Sequence, residues 1–425
     1  MITFRDPFDQ YGEFPWVSGS YPTAMQANGY VLNVTPNGGI GIGAAFGRFP
    51  GSLGLQVKIV SNAYRANFAF PSYPNQATQY KGIGMYFATV PGDDQVLFAF
   101  ADSATTQIDF RYRTGGIIQI TRNGTVVATA GAGSISAGQW YWVEMKVTVD
   151  PSAGFAEWKQ NGVSIISFTG NTRASSNSWS NGISCIGIGT NNSPILEIWL
   201  DDAVQYNPTG AAPTTYTGDK RYVGIKPNAA GDVANFTPAW ASWAASTVMA
   251  VGQQILDSNG NVQRVTAVTS DAKTGTPSHP TWATTGGNTT TDNHVTWTVV
   301  GSGANPGAAN WMAVAEAPPD GDNSYNASST IGNIDRFVGP GVPSTLSGIL
   351  EVVVCLYQRK DDAGVRSTRA SINSGGTVAD NGADFTQSSS YVYSWGSFTT
   401  DPNTAAAWTV GAVNGLTGWG YKVTA

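Results

Sequence analysis

"WYWVEMKVTV", residues 140–149, sets Tyr141, Val143, Met145, Val147 and Val149 in alternation with Trp140, Trp142, Glu144, Lys146 and Thr148. A repeat of two is the side-chain period of a β-strand, so one face of this segment belongs in a core. Working outward, "FAEWKQNGVSIISF" follows with Asn161-Gly162 at its centre, and "IIQITRNGTVVATA" precedes it with Asn123-Gly124. Asn-Gly supplies the left-handed backbone that a two-residue hairpin demands. Strands broken by turn residues every ~8–12 positions predict an antiparallel sandwich. It spans residues 1–206 and closes at "ILEIWLDDAVQY".

The bulk composition agrees. A chain of 425 residues exceeds one ordinary domain, and only 12% of it is charged, while Gly alone contributes 51 residues. Such a composition suits short strands and turns better than helices. The net charge is −6 and the 22 Lys and Arg are scattered, so no basic patch invites nucleic acid. The most apolar run, "ILEVVVCLY", is interrupted by Glu351 and too short to cross a bilayer, which excludes insertion in a membrane by a helix. The opening "MITFRDPFDQY" lacks the basic-then-apolar pattern of a secretory signal, so synthesis in the cytoplasm is expected. Cys185 and Cys355 each sit in an apolar run and read as buried free thiols.

Beyond the first sandwich, residues 207–236 are rich in Pro, Gly and Thr and read as a linker with one short strand around Tyr222 to Ile225. Residues 237–303 form a small tryptophan-rich β module, in which "LDSNGNVQRVT" (256–266) is a hairpin turning at Asn259-Gly260. Residues 304–425 return to strand patterning and predict a second, smaller β-sandwich. The fold class is therefore all-β: a concanavalin-like jelly-roll sandwich, an inserted β module and a C-terminal β-sandwich.

Five of the 14 tryptophans lie between positions 240 and 311, more than a unit this small needs for a core. Sugars offer apolar C–H faces and hydroxyls, so their binders pair exposed aromatic rings with polar side chains. Trp297, in line with Val295 and Val299, and Trp243 read as core. Trp240 in "TPAW" and Trp282 in "HPTW" lie in loop-like contexts and are the ring candidates for a glycan site. Asn288, Asp292 and His294 of "NTTTDNHVTW" are its polar candidates.

A catalytic constellation is harder to assemble. The two histidines, His279 and His294, have no nucleophile elbow or metal-ligand spacing around them. Glu197 and Asp201 share a strand face, but four residues at ~3.3 Å set them roughly 13 Å apart. Paired glycosidase carboxyls need about 5–5.5 or 6.5–9.5 Å. Asp201 and Asp202 read as the residues that end this strand, with a Ca²⁺ site built with loop carbonyls as the alternative, and no other cofactor is expected.

The ordered set "FRDPFDQY", "GQWYWVEMKVTV…NGVSIISFTG" and "LDDAVQYN" resembles the laminin-G or concanavalin-like jelly roll at the front of tailed-phage and prophage virion proteins. "EAPPDGDNSY…QRKDDAGVRSTRASINSGGT…DPNTAAAWTVGAVNGLTGWGYKV" is similar to their back half. The module resembles the small chitin-binding-type repeats of phage fibres and bacterial glycosidases. The resemblance implies a non-catalytic structural protein, located in the virion and displayed on its exterior. Its expected partners are capsid, neck or tail subunits, further copies of itself in a homo-oligomer, and host-surface glycan. A decoration or cement protein that binds no sugar, and a glycan depolymerase, are the alternatives.

Overall fold

The computed structural model describes residues 2–11, 14, 21, 24–28, 30–34, 38–50, 52–59, 66–90, 94–103, 105–185, 196–209, 213–302, 310–316, 319–346 and 348–425. Two units divide it, Met1–Gly224 and Ile225–Ala425. Trp140–Thr148 is a strand, and its alternation sends Val143, Met145 and Val147 to full burial. It lies inside an eight-stranded antiparallel sheet. In order, the strands are Val163–Gly170, Gly154–Gln160, Trp140–Thr148, Thr78–Thr89, Leu196–Tyr206, Gly54–Ile59 and Gly38–Gly43, with Ile2–Asp6 also beside Leu196–Tyr206. A seven-stranded sheet packs behind it, and Trp158 of the first meets Phe110 of the second at 5.6 Å between ring centroids. Asn123-Gly124 and Asn161-Gly162 both carry positive φ at the two positions, 44° and 83° and 50° and 82°, the geometry of a type I′ hairpin.

The all-β prediction holds in the second unit as well. A four-stranded sheet, Gln254–Leu256, Asn261–Val268, Val295–Ser302 and Thr289–Asp292, forms the module. A six-stranded sheet and a two-stranded ribbon, Val352–Gln358 with Val392–Phe398, enclose a core of Val354, Leu356, Ala370, Ile372, Phe398 and Trp408.

Three local expectations are corrected. Residues 221–228 contain no strand; the strand lies later, at Ala229–Ala234, where it pairs with Ile334–Val338. Segment 213–224 instead belongs to the first unit, because Tyr216 and Tyr222 pack on Tyr80, Trp142, Val204 and Tyr206. Cys355 is exposed, since it alternates with the buried Val354 and Leu356 and so faces the other side of the ribbon. The side chain of Cys185, and the expected boundary at 303/304, lie outside the described residues.

Candidate functional site

The module gathers its aromatics inward. Trp282 is only 5% exposed and meets Trp297 edge-on at 5.8 Å, within a core of Met249, Ile255, Val265 and Val295. The expectation of a loop-borne, exposed Trp282 is therefore corrected. So short a sheet buries too little aliphatic surface to hold together and recruits the largest ring available. Trp240 is half-buried against the buried pair Val262 and Met312, and its strand, Thr237–Trp240, pairs with Ser324–Ala327 rather than with the module's sheet.

Asp292 is buried and pins this core. Its Oδ2 accepts from Trp243 Nε1 at 2.7 Å and Trp297 Nε1 at 3.4 Å, and its Oδ1 from the Gly275 amide at 2.8 Å. Asn288 is exposed in a turn, its amide donating to the Thr285 carbonyl. His294 stands 3.3 Å from Thr269 Oγ1 and 3.8 Å from Asp271. A cleft of about 540 Å³ opens beside Asp292, lined by Ser246, Asp271, Lys273, Thr276 and Asn293 among others. No aromatic ring lines it, and Trp240, Trp282, Asn288 and His294 are not part of it. The five sequence candidates are thus not brought together.

Asp201 and Asp202 are both buried, and protein donors occupy them. Asp201 Oδ2 accepts from the Arg48 amide at 2.8 Å and Ser52 Oγ at 3.0 Å; Asp202 accepts the Tyr222 amide at 2.7 Å and faces Arg48 at 3.7 Å. Burial pushes the Asp201 carboxyl up to about 6 and that of Asp202 well above its usual value, the latter helped by the neighbouring Asp201 charge. Among the described residues no group of three or more His, Cys, Asp or Glu could hold a metal ion.

The arrangement that sequence reasoning missed lies on the outer face of the eight-stranded sheet. Register places Trp140 beside Tyr86 and Tyr86 beside Trp199 on three adjacent strands. All three rings are half-buried. Tyr86 and Trp199 stack at 4.3 Å, 14° from parallel; Trp140 at 5.5 Å and Phe46 at 5.4 Å bracket them, tilted by 47° and 54°. The row ends on a fixed carboxylate. Glu197 accepts from Gln56 Nε2 at 2.7 Å and Trp199 Nε1 at 3.1 Å, and pairs with Lys58 at 2.9 Å. Burial acts to raise its pKa, but Lys58, Trp199 and Gln56 outweigh that and hold it below the ordinary value. The signal was present in the alternation: two tryptophans, Trp140 and Trp142, occupy the face assigned away from the core.

No family model matches the chain, and no curated protein matches it. Solved structures similar in fold include a sialidase (10% identity, 48% of this chain and 18% of that one, TM-score 0.37). An endo-β-1,4-glucuronan lyase from the fungus Trichoderma reesei is another (10% identity, 41% and 89% covered, TM-score 0.33). The carbohydrate-binding module CBM66 from Bacillus subtilis is a third (9% identity, 42% and 96% covered, TM-score 0.28). The chain thus spans less than a fifth of that sialidase. These neighbours are carbohydrate-active enzymes and a carbohydrate-binding module, with no virion protein among them. Two expectations are accordingly corrected: the role of a non-catalytic structural virion protein, and the absence of enzymatic activity. At these scores the likeness concerns the β-sandwich alone.

Proposed function

We propose that the outer face of the N-terminal sandwich binds a hydroxyl-rich, uncharged glycan. One observation carries this reading: the half-exposed row Trp140–Tyr86–Trp199, ending on Glu197 with its Lys58 and Gln56 partners. The stacked rings form an apolar ridge for sugar C–H groups, and the tilted outer rings keep a face available for stacking. Glu197 is ionised and locked in place, so it accepts hydroxyl hydrogens without having to be ordered on binding. Lys58 is already matched by Glu197, and the chain as a whole carries −6, which disfavours a polyanionic ligand.

Affinity at one such site is weak, on the order of mM. Titration calorimetry with neutral and acidic oligosaccharides tests the reading. Binding of a neutral glycan, weakened at least tenfold by Trp199→Ala, is the expected result. Binding that ignores Trp199→Ala and Trp140→Ala, or none from the whole panel, overturns it.

A further inference from the structure

The same sheet face continues beyond the aromatic row into a region covered by the chain itself. Trp142, Glu144, Glu157 and Tyr206 belong to the outer face yet are all buried, Glu144 to 1% exposure and Glu157 to 9%. Their cover is segment 213–222. The Tyr216 hydroxyl donates to Glu157 Oε2, its ring stands edge-on to Tyr80 at 5.3 Å, and Lys159 Nζ lies 4.0 Å from its ring centroid. Glu144 Oε1 accepts from the Thr217 amide at 2.8 Å, the Gly218 amide at 3.0 Å and Thr217 Oγ1 at 3.2 Å. Below, Tyr80 and Tyr206 stack at 5.0 Å, and the buried Trp142 Nε1 has no hydrogen-bond partner among the described residues.

An outer sheet face built only for stability has no reason to bury two carboxylates, because each costs several kcal/mol of desolvation unless donors meet it. Here every donor described for Glu144, and the hydroxyl on Glu157, comes from three consecutive residues of one segment. Their chemistry is a hydroxyl on a ring, a second hydroxyl and two N–H groups, set against the cluster of Tyr80, Trp142 and Tyr206. A sugar offers the same pattern: O–H donors around a ring whose faces are apolar.

We infer that Glu144, Glu157, Tyr80 and Tyr206 form a second glycan subsite, occupied in this structure by Tyr216–Gly218 in place of sugar. This rests on the reading that the outer face binds glycan, and it extends that site. Trp140 and Glu144 are four residues apart on one strand, roughly 13 Å. An oligosaccharide spans both subsites and a monosaccharide does not. A long ligand displaces the segment; a short one leaves it in place.

Hydrogen exchange and calorimetry on the full chain test this with a neutral oligosaccharide and its monosaccharide. Saturation with the oligosaccharide is expected to raise exchange of the Thr217 and Gly218 amides at least tenfold, whereas the monosaccharide leaves them protected. Tyr216→Ala, and more gently Tyr216→Phe, which keeps the ring, are expected to tighten oligosaccharide binding about tenfold and threefold. Adding Glu144→Ala to Tyr216→Phe cancels that gain. Binding that needs Trp199 but leaves both the amide exchange and the Tyr216→Phe affinity unchanged overturns the subsite alone and leaves the open row standing. Binding by neither the wild type nor the Tyr216 variants overturns both.

Discussion

In the tryptophan-rich module, Trp282 and Trp297 meet edge to face within the core of a four-stranded sheet, and Trp243 is tied to Trp297 through Asp292. On the N-terminal sandwich, Trp199 stacks on Tyr86 in a half-buried row on the outer face of the sheet. The module is dense in aromatics because it is small. Its short strands cannot build a core from aliphatic residues, so the rings are drawn inside. The sandwich fills its interior with Ile83, Val143, Met145, Phe98, Phe110 and Leu200, and can leave rings outside. Local density of tryptophan therefore marks the place where a core is hardest to build, while a ligand surface is marked by rings on a face the core does not need.

The largest effect that would break this comparison is on stability. Trp297→Ala removes the fully buried ring and is expected to cost about 3–5 kcal/mol, seen as loss of amide protection across Gln254–Ser302. Trp199→Ala is expected to cost about 1 kcal/mol or less in a denaturant melt while weakening glycan binding at least tenfold. If the two substitutions destabilise equally, the contrast fails.

A pH titration sharpens it next. In the second unit, burial, then the nearby Asp320 charge, push the Glu316 carboxyl up to about 8, and Arg264 offsets only part of this; burial also raises Asp320 to about 6. A carboxyl raised on folding favours the protonated form in the native state. Its contribution is fully present below the ordinary value of 4.5 and is lost as pH rises through about 8. The second unit is expected to lose stability over that range, and Glu316→Gln to flatten the slope, measured as unfolding midpoint against pH. The smallest effect is at the module's surface: Asn288→Ala is expected to shift neither the melting temperature by more than about a degree nor glycan affinity.

Much of the scaffold was legible. The alternation at residues 140–149, the Asn-Gly hairpins and the core position of Trp297 follow from local rules, because strand period and turn geometry are set by neighbours a few residues apart. Trp282 was not legible. "HPTW" has the look of a loop, and only the packing of Met249, Ile255 and Val295 around it makes the position interior. Glu144 was not legible either, because its donors lie 73 and 74 residues further along the chain.

The sequence by itself determined that this chain is predominantly β-structured, where its tightest hairpins turn and which residues of each strand share a face. Those properties reside in backbone preference and the two-residue repeat. Only the tertiary structure decided which face stays open, which rings become core and which carboxylates are covered, because exposure depends on what distant segments lay across a surface. Segment 213–222 shows the difference: composition makes it a linker, and its contacts make it the cover of the sandwich's outer face.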